Sequence, residues 1–456
     1  MTETSHYDLT IGLLGTEVPK NSPVIKWKDG YTTILPAVFD DHNINVCAKV
    51  DIPIITYLAK CPVSTPDSLY ITHISNNRVP ATDLHDLVGD SLSQNKPVAI
   101  RGRGRHPVGQ ELTAEFLDQD YAISPNRAVW VHDVMARAID HTKATRPGVI
   151  KYFIESMKNP KTIQCVLDIP LAQVSLPDSL KHVDHGLAYG WNQTTYDVPI
   201  KSNVHPENFT VKGWALLHHA GFLTYPHHNA EGSLTWVRVE VGTQFWVVFR
   251  PKNRYHDRQH IQDVAIRLRN FTENEAWIKA HCDAEVITLL PGDIVIIPPG
   301  QVHAVYTPVA SFATGGHFYH YACMHLTEIS RYLDVVVGDC LTNQTLHNAL
   351  ETLRRMIIAI PRLSPRIPLF RRSLLALCIM VTQGKQYRAK GGPKSAVVDT
   401  ETANLSTEIA RAISGHLGVT TRMSGPTLLY NGDQFDRGEL LTEKSLNEVL
   451  TSFTLL

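Results

Sequence analysis

Short, almost wholly apolar runs separated by Gly- and Pro-rich turns fill residues 213–325. Thr235-Trp-Val-Arg-Val-Glu-Val is strand-like, and Gly292-Asp-Ile-Val-Ile-Ile-Pro-Pro-Gly300 is a β-branched run closed by a turn. Strands also fit 243–249 and 285–290. Between them, 251–277 reads as a charged loop running into the helical stretch Glu273-Asn-Glu-Ala-Trp-Ile-Lys-Ala, an insert at a barrel rim that suits a lid or substrate loop. Upstream, β-rich composition marks 50–58, 69–74, 95–102, 129–131 and 162–170. Thr113 is a helix-cap signal, and helical spacing is read at 132–144 and at 145–157, the latter entered through Pro147. After 326 the spacing turns helical, at 327–336, 342–360, 370–381, 400–417 and 443–453. Pro361, Pro365 and Pro368 interrupt that part, and 385–394 is a basic, Gly-containing linker. The expectation is an α+β protein in three parts: an N-terminal arm and small α/β part at 1–90, a barrel domain at 91–325 with its core about 213–325, and a helical region at 326–456.

Composition adds a few constraints. The chain has 456 residues, 43% hydrophobic and 19% charged, which suits a globular protein with a full core. Lys+Arg (43) and Asp+Glu (44) nearly cancel, so no global charge points to nucleic acid or a membrane surface. The seven cysteines are scattered, odd in number and free of Cys-x-x-Cys spacing, which reads as reduced thiols. The polar N-terminus lacks a signal-peptide pattern, and the longest apolar run, at 374–381, is too short for a bilayer. An intracellular protein, nuclear or cytoplasmic and not membrane-bound, is expected.

The 23 histidines cluster at 218–228 and 303–325. One cluster lies in Gly221-Phe-Leu-Thr-Tyr-Pro-His227-His228-Asn229-Ala-Glu231-Gly232. The other begins with Gly300-Gln-Val-His303. Pro and Gly turn the chain sharply at a strand end and aim an imidazole inward. Two imidazoles with a carboxylate and open positions are the donor set of non-heme Fe(II) oxygenases. Each candidate also has a plainer reading: His303 as a polar rim residue, Asn229 as a turn-forming cap, Glu231 as a solvated loop acid, Thr224 as an ordinary strand threonine.

Gly221 to His227 and Gly292 to His303 match the two signature motifs of the cupin superfamily. More narrowly, Asn95-Lys-Pro-Val-Ala-Ile-Arg-Gly102, Leu167-Asp-Ile-Pro170, Thr224-Tyr-Pro-His-His and Gly300-Gln-Val-His-Ala-Val-Tyr-Thr-Pro308 resemble JmjC-domain proteins, the fungal kind especially, over roughly 90–325. The resemblance implies a double-stranded β-helix (cupin, jelly-roll) and an Fe(II)- and 2-oxoglutarate-dependent oxygenase, a hydroxylase or demethylase. It places the metal on His227 and His303, with Asn229 or Glu231 completing the face, and the cosubstrate on Thr224 and Gln244. Two positions depart from the family. Its His-x-Asp or His-x-Glu is His227-His228-Asn229 here, and its Gly-x-Lys-x-Trp turn is Gly242-Thr243-Gln244-Phe245-Trp246. Both lose a charge, so the alternative is a catalytically weakened module that binds a ligand or partner without turnover. Gln244 as an exposed strand residue is the plainer reading of that position.

Glu231 and the imidazoles of His317 and His320 are candidate replacements for the missing ligand. His218, His219 and His228 are expected to line the pocket or bond the backbone, and Trp214, Trp236 and Trp246 to be core. The basic positions between Arg354 and Lys394 suit an acidic partner or a solvated helix face. The substrate, whether protein, nucleic acid or small molecule, is not written in any readout motif.

Overall fold

The structure, a computed structural model, describes residues 23–446 and Phe453, except 76–79, 103, 108, 160, 172–175, 195–207, 253–257, 339–341, 343–345, 347, 365, 388–399, 420–432 and 443–445. It is a mixed α+β fold. A nine-stranded sheet has the order β3-β4-β13-β10-β15-β8-β7-β5-β6, and a four-stranded sheet the order β12-β11-β14-β9. The strands are β1 (Val24–Lys26), β2 (Thr32–Ile34), β3 (Thr72–Ser75), β4 (Val98–Arg101), β5 (Ala128–Asp133), β6 (Thr145–Val149), β7 (Gln164–Pro170) and β8 (Trp214–His218). They continue with β9 (Phe222–His227), β10 (Leu234–Val241), β11 (Gln244–Pro251), β12 (Cys282–Leu289), β13 (Ile294–Ile297), β14 (His303–Thr307) and β15 (Ser311–Phe318).

Strand periodicity sorts the side chains into layers. Val237, Val239, Trp246, Val248, Ile287, Leu289, Val295, Ile297 and Val305 meet in one cluster drawn from both sheets. The alternate positions Phe245, Val247, Phe249, Ala304 and Tyr306 face away, under a cover of helices. β11 and β13 are therefore buried on both faces and read as near-continuous hydrophobic runs, whereas β10 sets Arg238 and Glu240, an ion pair at 3.6 Å, into its second face. Helices α1 (Asp51–Leu58), α2 (Ala81–Ser93), α3 (Ala114–Tyr121), α4 (Val134–Ile139) and α5 (Ile150–Ser156) decorate the N-terminal part. The insert forms α6 (Arg258–Arg269) and α7 (Phe271–His281). The C-terminal part forms α8 (Met324–Val337), α9 (Ala349–Ala359), α10 (Arg371–Thr382) and α11 (Thr400–His416).

Thr113 caps α3 as its sequence signals, its Oγ1 accepting from Phe116 N at 3.1 Å. Elsewhere tertiary packing overrides local reading. Residues 51–58 are helical despite their β-branched content, because Ile54, Ile55 and Leu58 share a face that packs under the four-stranded sheet. Thr145–Val149 is an edge strand, and the helix begins only at Ile150; Pro147 sits opposite Trp130, on the sheet edge where its missing N–H costs no ladder bond. The first half of the insert is helix where a loop was expected, its Ile261, Val264 and Leu268 buried against the sheet. The C-terminal helices pack with Leu187, Tyr319 and Tyr321 of the body, and the boundary read at 326 falls inside α8. The expected helix at 443–453 and most of the basic linker lie outside the described residues. The six described cysteines are buried and unpaired. No helix among the described residues is long and apolar enough to cross a membrane.

Candidate metal centre

β9 and β14 are antiparallel neighbours, and their register sets His227 opposite His303. The two rings lie 4.3 Å apart between centroids. A register shift between His303 and Val305 marks an irregularity beside this pair. His303 stacks on Trp246 of β11 at 5.0 Å and 15°. His303 Nδ1 donates to the Gln301 carbonyl at 3.0 Å, and His227 Nδ1 to the Tyr225 carbonyl at 2.8 Å. Each bond fixes the ring and leaves Nε2 with its lone pair, the state a metal requires. Burial pushes His227 down to about 4, its bond to Tyr225 opposing, and pushes His303 well below the ordinary imidazole range. Both are neutral at physiological pH.

The pair opens on a cavity of about 330 Å³ whose lining includes Thr224, His227, Asn229, Gln244, Trp246 and His303. Asn229 Nδ2 is buried there without a hydrogen-bond partner among the described residues. Glu231 is absent from the lining. It adopts φ 55°, and its Oε2 accepts from Arg331 Nε of α8 at 3.1 Å. Burial raises its carboxyl, and the Arg331 guanidinium works against that rise. The nearby carboxylate is thus spent on an ion pair. Among the described residues no three His, Cys, Asp or Glu side chains are grouped to hold a metal ion.

One stripe of α8 holds the ligand loop. Thr327 Oγ1 donates to the Gly232 carbonyl at 2.8 Å, and Ser330 Oγ lies 3.1 Å from His228 Nδ1. Arg331 takes Glu231. Asp334 Oδ2 accepts from Glu231 N at 3.2 Å, and its Oδ1 lies 2.8 Å from His228 Nε2. The spacing of these four residues is one helix face. Gly232 has φ 62°, and a Cβ there would meet the Thr327 carbonyl oxygen at 2.4 Å, so the close approach requires glycine.

Gln244 is fully buried, not an exposed strand residue. Its Oε1 accepts from Trp246 Nε1 at 3.0 Å and its Nε2 donates to Ser311 Oγ at 3.1 Å. His317 lines the cavity with Nδ1 2.7 Å from Thr235 Oγ1, whereas His320 is absent from the lining and lies against His185, the rings 4.2 Å apart and tilted at 36°. His218 and His228 line the cavity too, and His219 bonds the carbonyls of Thr162 and Phe153. Sequence reading missed His132, Arg137, Cys165, Asp168 and Thr342 in the lining. Cross-strand register could have found part of this set, since His132, Cys165, His218 and Ser311 form one row across β5, β7, β8 and β15. The basic run of the tail is partly engaged. Arg355 pairs with Glu351 at 3.0 Å and lies over the Trp191 ring, and Arg371 pairs with Glu439 at 3.2 Å.

Two facing neutral imidazoles fit a divalent metal, and the Asn229 amide lines the same cavity. The cavity fits 2-oxoglutarate less well, because Gln244 brings no charge and its amide is already bonded on both sides. The fold and this pair define a candidate metal centre in the mouth of a two-sheet β structure. No family model matches the chain. Over 206 residues, 40% of the chain and 19% of the relative, it is 24% identical to JmjC domain-containing histone demethylation protein 1 of Caenorhabditis elegans. Over 111 residues, 24% of the chain, it is 29% identical to the protein of that name in Caenorhabditis briggsae and 27% identical to that in Kluyveromyces lactis, covering 10% and 21% of them. The chain thus spans about a fifth or less of the curated relatives it matches. These are partial similarities, over 24–40% of the chain, to JmjC domain-containing proteins.

Proposed function

We propose that this chain is a JmjC-type module on a double-stranded β-helix that holds a divalent metal through His227, His303 and Asn229 and binds a ligand beside it with little or no turnover. The strand order supports the fold reading. Strands β8 to β15 divide into two facing sets, β8-β15-β10-β13 and β9-β14-β11-β12, as a jelly roll requires. The observation that carries the functional reading is the Glu231–Arg331 pair, which engages the carboxylate of the ligand loop. With two imidazoles and an amide, a bound Fe(II) would lack the anionic ligand that completes the facial triad and offsets its charge. The metal would supply Lewis acidity. His227 and His303 would fix its place, and Trp246 would shield one imidazole from water. By analogy with the relatives, whose names refer to histone demethylation, a nuclear location is part of the proposal.

The second reading is an active Fe(II)- and 2-oxoglutarate-dependent oxygenase, a hydroxylase or demethylase with an atypical triad. The two Nδ1–carbonyl bonds favour it, since they keep both rings oriented as ligands. Anaerobic Fe(II) reconstitution followed by metal analysis and a succinate assay separates the readings. The module reading expects near-stoichiometric metal that is lost in His303→Ala, with no succinate from 2-oxoglutarate above a protein-free control. Succinate that disappears in His303→Ala would establish the oxygenase. A protein that retains no Fe(II), Co(II) or Zn(II) would sink both.

A further inference from the structure

The cavity is poor in positive charge. Arg137 is the one Lys or Arg in its lining among the described residues, and its charge is already matched. Its Nη2 donates to both carboxylate oxygens of Asp51, at 3.0 and 2.8 Å, and its guanidinium lies 4.4 Å from the centre of the Tyr225 ring. Asp168, in the bulge of β7 at φ 57°, adds a carboxylate to the lining. Burial pushes His218 down to about 3, with His219 and His132 pushing the same way, so that imidazole brings no charge.

What the wall offers is neutral hydrogen bonding. Trp214 Nε1, His218 Nδ1 and Asn229 Nδ2 are buried polar atoms of the lining without a partner among the described residues. The indole and the amide are donors, and a buried donor left unpaired is costly, so both call for an acceptor. Gln244, held between Trp246 and Ser311, adds a further neutral group to the wall. A carboxylate buried against such a wall loses its hydration and gains no ion pair.

We infer that this cavity takes an acceptor-rich small molecule with at most one carboxylate, of the 2-oxo monocarboxylate class, and discriminates against the dicarboxylate 2-oxoglutarate, with Gln244 setting the preference. This rests on the metal-holding reading, because the oxo acid end would face the His227–His303 pair. The test uses the full chain loaded with redox-inert Zn(II) and titrated calorimetrically with 2-oxopentanoate and with 2-oxoglutarate, which share a chain length and differ in the distal carboxylate. The expected result is binding of 2-oxopentanoate about tenfold tighter or more, and inversion of that order in Gln244→Lys. A prior Zn(II) titration reads the metal site separately. Absence of metal binding overturns the metal-holding reading, and the same two acids are then titrated against the metal-free protein, where the wall alone predicts the same order. Equal or tighter binding of 2-oxoglutarate by the wild-type chain, or binding of neither acid, overturns this inference. Because the wild-type order is itself decisive, a Gln244→Lys protein that fails to fold leaves the test intact.

Discussion

Asn229 and Glu231 are two residues apart and have opposite fates. Asn229 lines the cavity with an amide nitrogen that has no partner among the described residues, and Glu231 turns through a left-handed backbone angle onto Arg331. The histidines were legible because the Pro and Gly turns before them leave few directions for the rings. The direction of the Glu231 side chain was not, because it depends on Arg331, a hundred residues on in the chain. The amide carries no charge, so a carboxylate in its place should bind a divalent cation more strongly. Asn229→Asp is expected to tighten Co(II) binding about tenfold, as a charge-assisted ligand replaces a neutral one. The measurement is calorimetric titration of the metal-free protein. An unchanged or weakened affinity would mean that position 229 does not reach the metal.

At the scale of elements, α8 acts as a splint for the ligand loop through Thr327, Ser330, Arg331 and Asp334. Its other side reaches the insert. Glu328 accepts from Arg258 of α6 at 2.9 Å and from Tyr387 OH at 2.6 Å, so one helix ties the ligand loop to the rim. Arg331 is nearly fully buried, and breaking its pair strands a charge in a low-dielectric site. Glu231→Leu and Arg331→Met should each lower unfolding free energy by about 3 kcal/mol, while the double variant Glu231→Leu/Arg331→Met should cost clearly less than the sum. Urea unfolding of the singles and the double checks this, and strict additivity would show that the two side chains do not interact. The sequence revealed the elements whose period matched their burial, such as β10, β11 and α10. It misled at α1, where β-branched residues form a helix because a sheet covers them, and at β6, where a proline read as a helix start is an edge-strand residue. Both depend on neighbours distant in sequence, which local periodicity does not encode.

On the scale of the whole molecule, the helical C-terminal part is joined to the β body through a shared core and through buried histidines. His320 lies just past β15, its ring 4.2 Å from that of His185 and tilted at 36°. His325, in the first turn of α8, lies 2.9 Å from Ser373 Oγ of α10 and 3.0 Å from the Phe435 carbonyl. Burial pushes both imidazoles down to about 3, with the bond to Phe435 opposing in His325. In the unfolded chain each titrates near the ordinary value of about 6.5. Between roughly pH 6.5 and 3 the unfolded state therefore holds protons that the native state refuses, and stability falls as the pH is lowered through that window. Above pH 6.5 these two groups contribute no slope. Each histidine adds about 1.4 kcal/mol per pH unit well below its unfolded value, so the pair should give close to twice that. Other buried histidines are pushed down as well, so urea midpoints at pH 7.5, 6.5 and 5.5 should drop more steeply over the second interval than over the first, and His325→Gln should remove about one proton's share of the slope. Because the C-terminal helices share a core with Tyr319 and Tyr321, the loss should come as one cooperative transition and not as prior release of the helical region. A separate early transition seen by C-terminal proteolysis, or a stability that rises on acidification, would refute this account of how the two parts are held together.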